Sequence, residues 1–212
     1  MQIISHRGYW KHASEKNTYE AFKRSFSLGY GTETDIRDYH GELVISHDIP
    51  DADCMSFRDF LKLHAYYDNK LPLALNIKSD GLAPRIKQYV EEWGLTNYFC
   101  FDMSIPDMME YNRCGVEVYF RISEYEQESA LALKSKGIWL DGFQRSLVNE
   151  DTIRNYIGRG FNVCSVSSEL HKRSPQEEWS LMKTFDPLIL NSKHLMLCTD
   201  FPDDAKEIFY GE

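Results

Sequence analysis

The chain has 212 residues, with 24 Lys and Arg against 33 Asp and Glu, and its formal charge of −9 argues against nucleic acid as the main partner. Hydrophobic residues make up 42%, aromatics 14% and charged residues 27%, enough for a core at a length typical of one domain, so disordered, collagen-like and coiled-coil readings drop out. No window approaches the roughly 20 apolar residues of a membrane span, and the opening run Met1 to Gly8 has neither a basic nor an apolar leader region, so a cytoplasmic protein is expected.

Short runs rich in β-branched and aromatic residues alternate with segments of helical period. In chain order the strands are expected over Gln2 to Ser5, Thr32 to Arg37, Glu42 to His47, Leu71 to Ile77, Tyr98 to Phe101, Glu117 to Ile122, Gly137 to Leu140, Asn162 to Val166 and Leu195 to Thr199. The helices are expected over Thr18 to Leu28, Ser56 to Tyr67, Leu82 to Trp93, Pro106 to Arg113, Gln127 to Lys136, Asn149 to Gly158 and Pro175 to Thr184. Such alternation predicts a parallel sheet covered by helices.

Nine strands are one too many for a (β/α)8 barrel. Only Asp38-Tyr39-His40-Gly41 separates the second and third, too short a link for parallel neighbours, so this pair is a hairpin whose second arm stands outside the barrel. The expectation is a single-domain (β/α)8 TIM barrel over residues 1–212, with a β-hairpin arm after the second strand and a short insertion before the next. A doubly wound open sheet is the alternative, but no glycine-rich phosphate loop follows the first strand. Cys54, Cys100, Cys114, Cys164 and Cys198 are odd in number and contain no CxxC pair, which suggests neither disulfides nor a zinc knuckle.

A barrel enzyme builds its site just past the C-terminal ends of its strands. Here those ends are polar: His6-Arg7, Glu33 and Asp35, His47-Asp48, Asn76 and Lys78, then Asp102, Arg121, Asp141, Ser165 and Thr199-Asp200. Solvated loops alone also produce polar strand ends. Glu33 and Asp35 lie two apart on one strand, so both carboxylates project to one face; this suits a hard cation, Mg²⁺ or Ca²⁺ rather than zinc, or else two solvated acids on an exposed edge. His6 and His47 are a candidate base and acid, or packed and surface histidines. Arg7 offers a planar fork for phosphate oxygens and Lys78 a point charge. Tyr9, Trp10, Phe120, Trp139 and Phe143 flank the expected mouth and read chiefly as core.

His6-Arg7-Gly8, Asn17-Thr18 with Ala21-Phe22, Gly31-Thr32-Glu33-Thr34-Asp35 and His47-Asp48 follow one another in an order and spacing that resembles the glycerophosphodiester phosphodiesterase family, a (β/α)8 barrel family related to phosphatidylinositol phospholipase C. Thr199-Asp200-Phe201-Pro202 is similar to its closing element. The resemblance implies His6 and His47 as the acid and base, Arg7 and Lys78 as phosphate holders, and Glu33, Asp35 and Asn76 as ligands of a divalent cation. It also implies attack by the substrate's own hydroxyl, through a cyclic phosphate that water opens later.

Two departures stand out. The family's Glu-x-Lys reads Asn76-Ile77-Lys78, so the third ligand loses its charge and cation affinity is expected to fall unless Asp80, Asp102 or Asp141 contributes. Lys16 stands where the family has Glu, and the stretch between His47 and Leu71 is shorter than the insertion many relatives carry, which implies a more open pocket. The expected function is metal-dependent hydrolysis of a glycerophosphodiester or a related small polyol or sugar phosphodiester, with a small-molecule substrate, no nucleic acid and no membrane span. The alternatives are a non-catalytic phosphate-binding barrel with a degenerate metal site, and a lyase-type phosphodiesterase that stops at the cyclic phosphate. An amidohydrolase-type barrel is disfavoured, because it needs an HxH pair where this chain has His6-Arg7-Gly8.

Overall fold

The computed structural model describes residues 1–211. Its strands are β1 (Gln2–His6), β2 (Gly31–Tyr39), β3 (Glu42–Ile45), β4 (Leu73–Ile77), β5 (Tyr98–Phe101), β6 (Tyr119–Ile122), β7 (Gly137–Leu140), β8 (Asn162–Val166) and β9 (Leu195–Thr199). They form one sheet in the order β5-β4-β2-β1-β9-β8-β7-β6, with β3 off this path and paired to β2. Cys100 of β5 forms a parallel bridge to Val118, and its amide donates to the Glu117 carbonyl at 2.9 Å, so the neighbour order continues from β5 to the chain entering β6. This cyclic order of eight parallel strands is the (β/α)8 barrel.

The β2–β3 pairing is antiparallel and closes on Tyr39 opposite Glu42. The two loop residues His40 and Gly41 both have positive φ, 49° and 83°, the backbone that matches the right-handed twist of the flanking strands. The strand in excess of eight is therefore β3, the hairpin arm, as the short link predicts.

The helices are α1 (Tyr19–Ser27), α2 (Phe57–Tyr67), α3 (Ala83–Trp93), α4 (Ile105–Cys114), α5 (Glu150–Gly158), α6 (Gln176–Met182), α7 (Pro187–Leu190) and α8 (Pro202–Tyr210). Backbone contacts gather into two compact units, Ser5–Val118 and Met1–Ile4 with Tyr119–Glu212.

In the first unit Ala21, Phe22, Ser25 and Phe26 recur at helical spacing on α1 and are buried. Phe22 and Phe26 meet Phe60 of α2 at ring separations of 4.8 and 5.8 Å, and Phe57 meets Tyr89 of α3 at 5.2 Å. Ser56 caps α2 by accepting from the Asp59 amide at 3.0 Å, and Ser104 caps α4 through Asp107. In the second unit Asn149 caps α5, and buried Trp179 of α6 packs on Phe209 of α8 while its indole donates to Ser167 Oγ at 2.9 Å.

Two short C-terminal helices, α7 and α8, were outside the expected set, and the helix expected over Gln127 to Lys136 is absent. Only a 3-10 turn, Ala132–Lys134, forms there. The Ser129 hydroxyl accepts the Leu131 amide at 3.2 Å, a local bond that competes with helix, and Glu128 is drawn away to Arg159 at 2.9 Å.

Buried His64 of α2 lies 5.2 Å from the Phe26 ring, with Nε2 3.0 Å from the Leu71 carbonyl. A carbonyl only accepts, so Nε2 carries the proton, and buried Nδ1 has no hydrogen-bond partner. Burial therefore lowers the imidazole pKa from 6.5. The unfolded chain binds more protons below that value, so this contribution to stability is present above pH 6.5 and is lost as the pH falls toward the lowered folded value. The thermal midpoint of the protein is expected to drop between pH 7 and pH 5, and His64→Gln is expected to flatten that part of the profile in scanning calorimetry.

Candidate active site

Thr32, Glu33, Thr34 and Asp35 form a polar stretch of β2, yet all four are buried. Alternation along the strand explains how. Thr32 and Thr34 face one side, where Thr32 Oγ1 lies 3.0 Å from Ser5 Oγ and accepts from the Gly8 amide at 3.0 Å, and Thr34 Oγ1 donates to Asn17 Oδ1 at 2.9 Å. Glu33 and Asp35 face the other. In the parallel register Asp35 stands beside Asn76 of β4, and Asn76 beside Phe101 of β5.

Asp35 gathers the site. Its Oδ2 lies 3.0 Å from Arg7 Nε and accepts from Asn17 Nδ2 at 2.8 Å, and its Oδ1 lies 3.5 Å from Lys78 Nζ. Lys78 Nζ is in turn 4.0 Å from Asp102 Oδ2. Glu33 Oε2 accepts from the Arg7 amide at 3.2 Å and lies 3.8 Å from His6 Nε2. Burial, then the neighbouring Asp35 charge, push the Glu33 carboxyl well above its ordinary pKa.

Among the described residues, Arg7, Asn17 and Asp102 are three of the five non-glycine residues with positive φ, at 57°, 60° and 66°. Such backbone costs about 1–3 kcal/mol per residue and persists only where surrounding contacts over-determine it. Arg7 follows inward-facing His6, so strict alternation would send it outward; the left-handed turn instead brings its guanidinium to Asp35. Gly8 then lets the chain pass α1, because a Cβ there would meet Ala21 Cβ at 2.8 Å and the Ala21 carbonyl carbon at 2.9 Å.

His47 sits past β3 with its side chain 45% exposed and Nδ1 2.9 Å from Asp48 Oδ1. The adjacent Ser46 amide donates to the Asp35 carbonyl at 3.0 Å, which anchors this segment beside the cluster. A groove of about 580 Å³ runs here, lined by Arg7, Lys16, Asn17, His47, Asp48 and Cys54 among others. Lys16 packs its ammonium 4.5 Å from the Trp10 ring centre.

Thus His6, Arg7, Glu33, Asp35 and Lys78 form one connected cluster, Asn76 adjoins it by register, and His47 shares a groove with Arg7. Of the three further acids considered for the cation, Asp102 reaches the cluster, Asp80 instead accepts from Ser104 Oγ at 3.0 Å, and Asp141 belongs to the second unit, 2.6 Å from His171 Nε2. Of the other strand ends of that unit, Arg121 pairs with Glu126, Thr199 Oγ1 and the Asp200 amide both donate to Glu169 Oε1, and the buried Ser165 Oγ makes no hydrogen bond. Of the five aromatic residues read chiefly as core, Tyr9, Phe120 and Trp139 are buried, whereas Trp10 and Phe143 are only partly so. Asn17, which donates to Asp35 and accepts from Thr34, is not among the expected site residues, although its place in the Asn17-Thr18 motif is a signal for it.

Among the described residues no three His, Cys, Asp or Glu side chains converge as a metal cluster. The register instead gathers two carboxylates and an amide. Asp35 Oδ1 and Asn76 Oδ1 are buried acceptors without a hydrogen-bond donor. Buried oxygens of this kind, with no thiolate near, fit a hard cation, and one charge is missing relative to a three-carboxylate set.

No protein-family model matches the sequence. No curated protein matches it either. Solved structures do match its fold. A glycerophosphodiester phosphodiesterase from Parabacteroides distasonis shares 18% identity over 99% of this chain and 97% of its own, with a TM-score of 0.69. Another from Agrobacterium tumefaciens shares 14% over 100% of both chains, also with a TM-score of 0.69. An Oleispira antarctica phosphodiesterase, solved in complex with the product sn-glycerol-3-phosphate, shares 14% over 98% of this chain and 96% of its own, with a TM-score of 0.65. At these identities the likeness is one of fold.

The two carboxylates are expected to respond oppositely to neutralisation. Asp35→Ala leaves Arg7 and Lys78 without their shared partner and is expected to destabilise by about 2 kcal/mol, below the figure for a fully buried pair because both cations are partly exposed. Glu33→Gln removes a buried charge repelled by Asp35 and is expected to stabilise the cation-free protein by about 1 kcal/mol. Urea unfolding with EDTA present measures both.

Proposed function

We propose that the chain is a cation-assisted phosphodiesterase that cleaves a glycerophosphodiester, or a related small polyol or sugar phosphodiester, to a phosphomonoester and an alcohol. One observation supports the reading: buried oxygens of Asp35 and Asn76, neither in a hydrogen bond, stand on the adjacent strands β2 and β4, and Lys78 from the end of β4 and Arg7 from the end of β1 pair with the same Asp35 carboxylate. The fold shared with solved phosphodiesterases, one of them bound to sn-glycerol-3-phosphate, supports it.

A divalent cation, Mg²⁺ or Ca²⁺, held by Glu33, Asp35 and Asn76 would supply Lewis acidity toward a non-bridging phosphoryl oxygen. The Arg7 fork and the Lys78 ammonium hold further phosphate oxygens, where negative charge gathers in the transition state. Asn17 keeps Asp35 in place, so that the carboxylate orients both cations. Of His6 and His47, one accepts the proton of the attacking hydroxyl and the other gives a proton to the leaving alcohol oxygen as its bond to phosphorus breaks. When the attacker is a hydroxyl of the substrate itself, the first product is a cyclic phosphate, and water opens it with the proton roles reversed. Asn76 contributes a carbonyl dipole in place of a third charge, which weakens cation affinity without removing a ligand.

A non-catalytic phosphate-binding barrel is the second reading, favoured by the missing third carboxylate. One experiment separates the two. Hydrolysis of bis-p-nitrophenyl phosphate and of glycerophosphodiesters is followed with Mg²⁺, Ca²⁺, Mn²⁺ or EDTA, with ³¹P NMR to detect a cyclic product. Turnover is expected to need the cation, to fall about 10²–10⁴-fold in His6→Ala, and to reach half-maximum at lower cation concentration in Asn76→Glu. Phosphate binding by calorimetry without turnover under any cation would establish the binding barrel instead.

A further inference from the structure

The Lys78 ammonium stands between two carboxylates. Its Nζ lies 3.5 Å from Asp35 Oδ1 and 4.0 Å from Asp102 Oδ2, both beyond the roughly 2.7–2.9 Å of a charge-assisted hydrogen bond, so it is held tightly by neither. The approach of Asp102 is built into the chain. Phe101 is in register with Asn76 and fully buried, and strict alternation would send the next side chain to the opposite face. The left-handed backbone of Asp102, with φ at 66°, accompanies the approach of its carboxylate to Lys78 at the end of the neighbouring strand. Aspartate is one of the few side chains that take up this backbone readily. Other acids near these strand ends have partners elsewhere: Asp38 Oδ1 accepts from Ser79 Oγ at 2.8 Å, Asp80 Oδ2 from Ser104 Oγ at 3.0 Å and Asp107 Oδ1 from the Gly81 amide at 3.0 Å.

We propose that Asp102 is a positioning residue that takes the Lys78 ammonium from Asp35 and so leaves Asp35 Oδ1 to a divalent cation; this rests on the cation-assisted phosphodiesterase reading. Asp35 Oδ1 is the buried oxygen without a hydrogen bond, and it is also the Asp35 oxygen paired with Lys78. An ammonium and a divalent cation repel each other strongly when held at one oxygen. Arg7 raises no such conflict at that atom, because its Nε pairs with Oδ2. Lys78 therefore needs a second anion within reach, and Asp102 supplies it. The Lys78 amide donates to the Ile36 carbonyl at 3.0 Å, which continues the β2–β4 ladder and fixes the backbone, while the flexible stem of a lysine lets its point charge move between partners. Asn76, two residues earlier on the same strand, has no charge with which to hold the ammonium, so the task falls to the next strand.

The test is a double-mutant cycle on Mn²⁺ affinity, read from the EPR signal of free Mn²⁺ and so independent of turnover. Asp102→Asn removes the charge and keeps a side chain that accepts the left-handed backbone; Lys78→Met removes the ammonium and keeps the stem. Asp102→Asn is expected to weaken Mn²⁺ binding about fivefold, the scale of one partly exposed ion pair. Asp102→Gly, which also accepts a positive φ, is expected to do the same. In the Lys78→Met background Asp102→Asn is expected to change the affinity by less than about twofold, because its effect runs through the ammonium. Unchanged affinity in both Asp102 variants, in a wild type that binds Mn²⁺, overturns the positioning role and leaves the cation-assisted reading standing. An equal loss with and without Lys78 overturns it too, since Asp102 then acts on the cation directly. A wild type that binds neither Mn²⁺ nor, by calorimetry, Ca²⁺ overturns the cation-assisted reading and this one with it.

Discussion

A single buried carboxylate, Asp35, organises the first unit's polar interior. It is fully buried and takes Arg7, Asn17 and Lys78 as partners, from the end of β1, the segment before α1 and the end of β4. An uncompensated charge in such a place is far too costly to persist, so the chain segments that bring those partners are constrained by it. This is the physical source of the strain at Arg7 and Asn17. Their left-handed backbones are unfavourable in isolation and are held because each delivers a side chain to the same oxygen.

The same arrangement defines what the cluster can do. Two cations stand beside one buried carboxylate, and buried Asp35 Oδ1 and Asn76 Oδ1 make no hydrogen bond. On the proposed reading, anion and cation sites overlap on one set of residues, the situation that phosphoryl transfer requires. Glu33 adds tension: it is buried beside Asp35, its charge is disfavoured, and a bound cation relieves both effects. On the same reading, Asn76 lowers the number of negative charges held together in the cation-free state, at the expense of cation affinity.

Much of this arrangement is legible in the sequence. The β2–β3 hairpin follows from a link too short for a parallel crossover, and His40-Gly41 supplies the two positive φ angles that it needs. The inward pairing of Glu33 and Asp35 follows from strand alternation. The helix expected over Gln127 to Lys136 failed because its periodicity was apolar enough but its polar residues had other partners, Ser129 in its own turn and Glu128 at Arg159. Asp102 was one of three acids that the motif pattern could not rank; a left-handed backbone at that residue, invisible in composition, accompanies its approach to Lys78.

The sequence by itself determined the strand count, the hairpin, the face on which the carboxylates stand and the chemical type of the cluster, because these depend on spacing and alternation along one chain. Only the tertiary structure decided which cations meet which carboxylate, that Asn17 bridges Thr34 and Asp35, and that Asp102 rather than Asp80 approaches Lys78. These depend on strand register, on departures of the backbone from regular geometry and on burial, which are set by the packing of segments far apart in the chain.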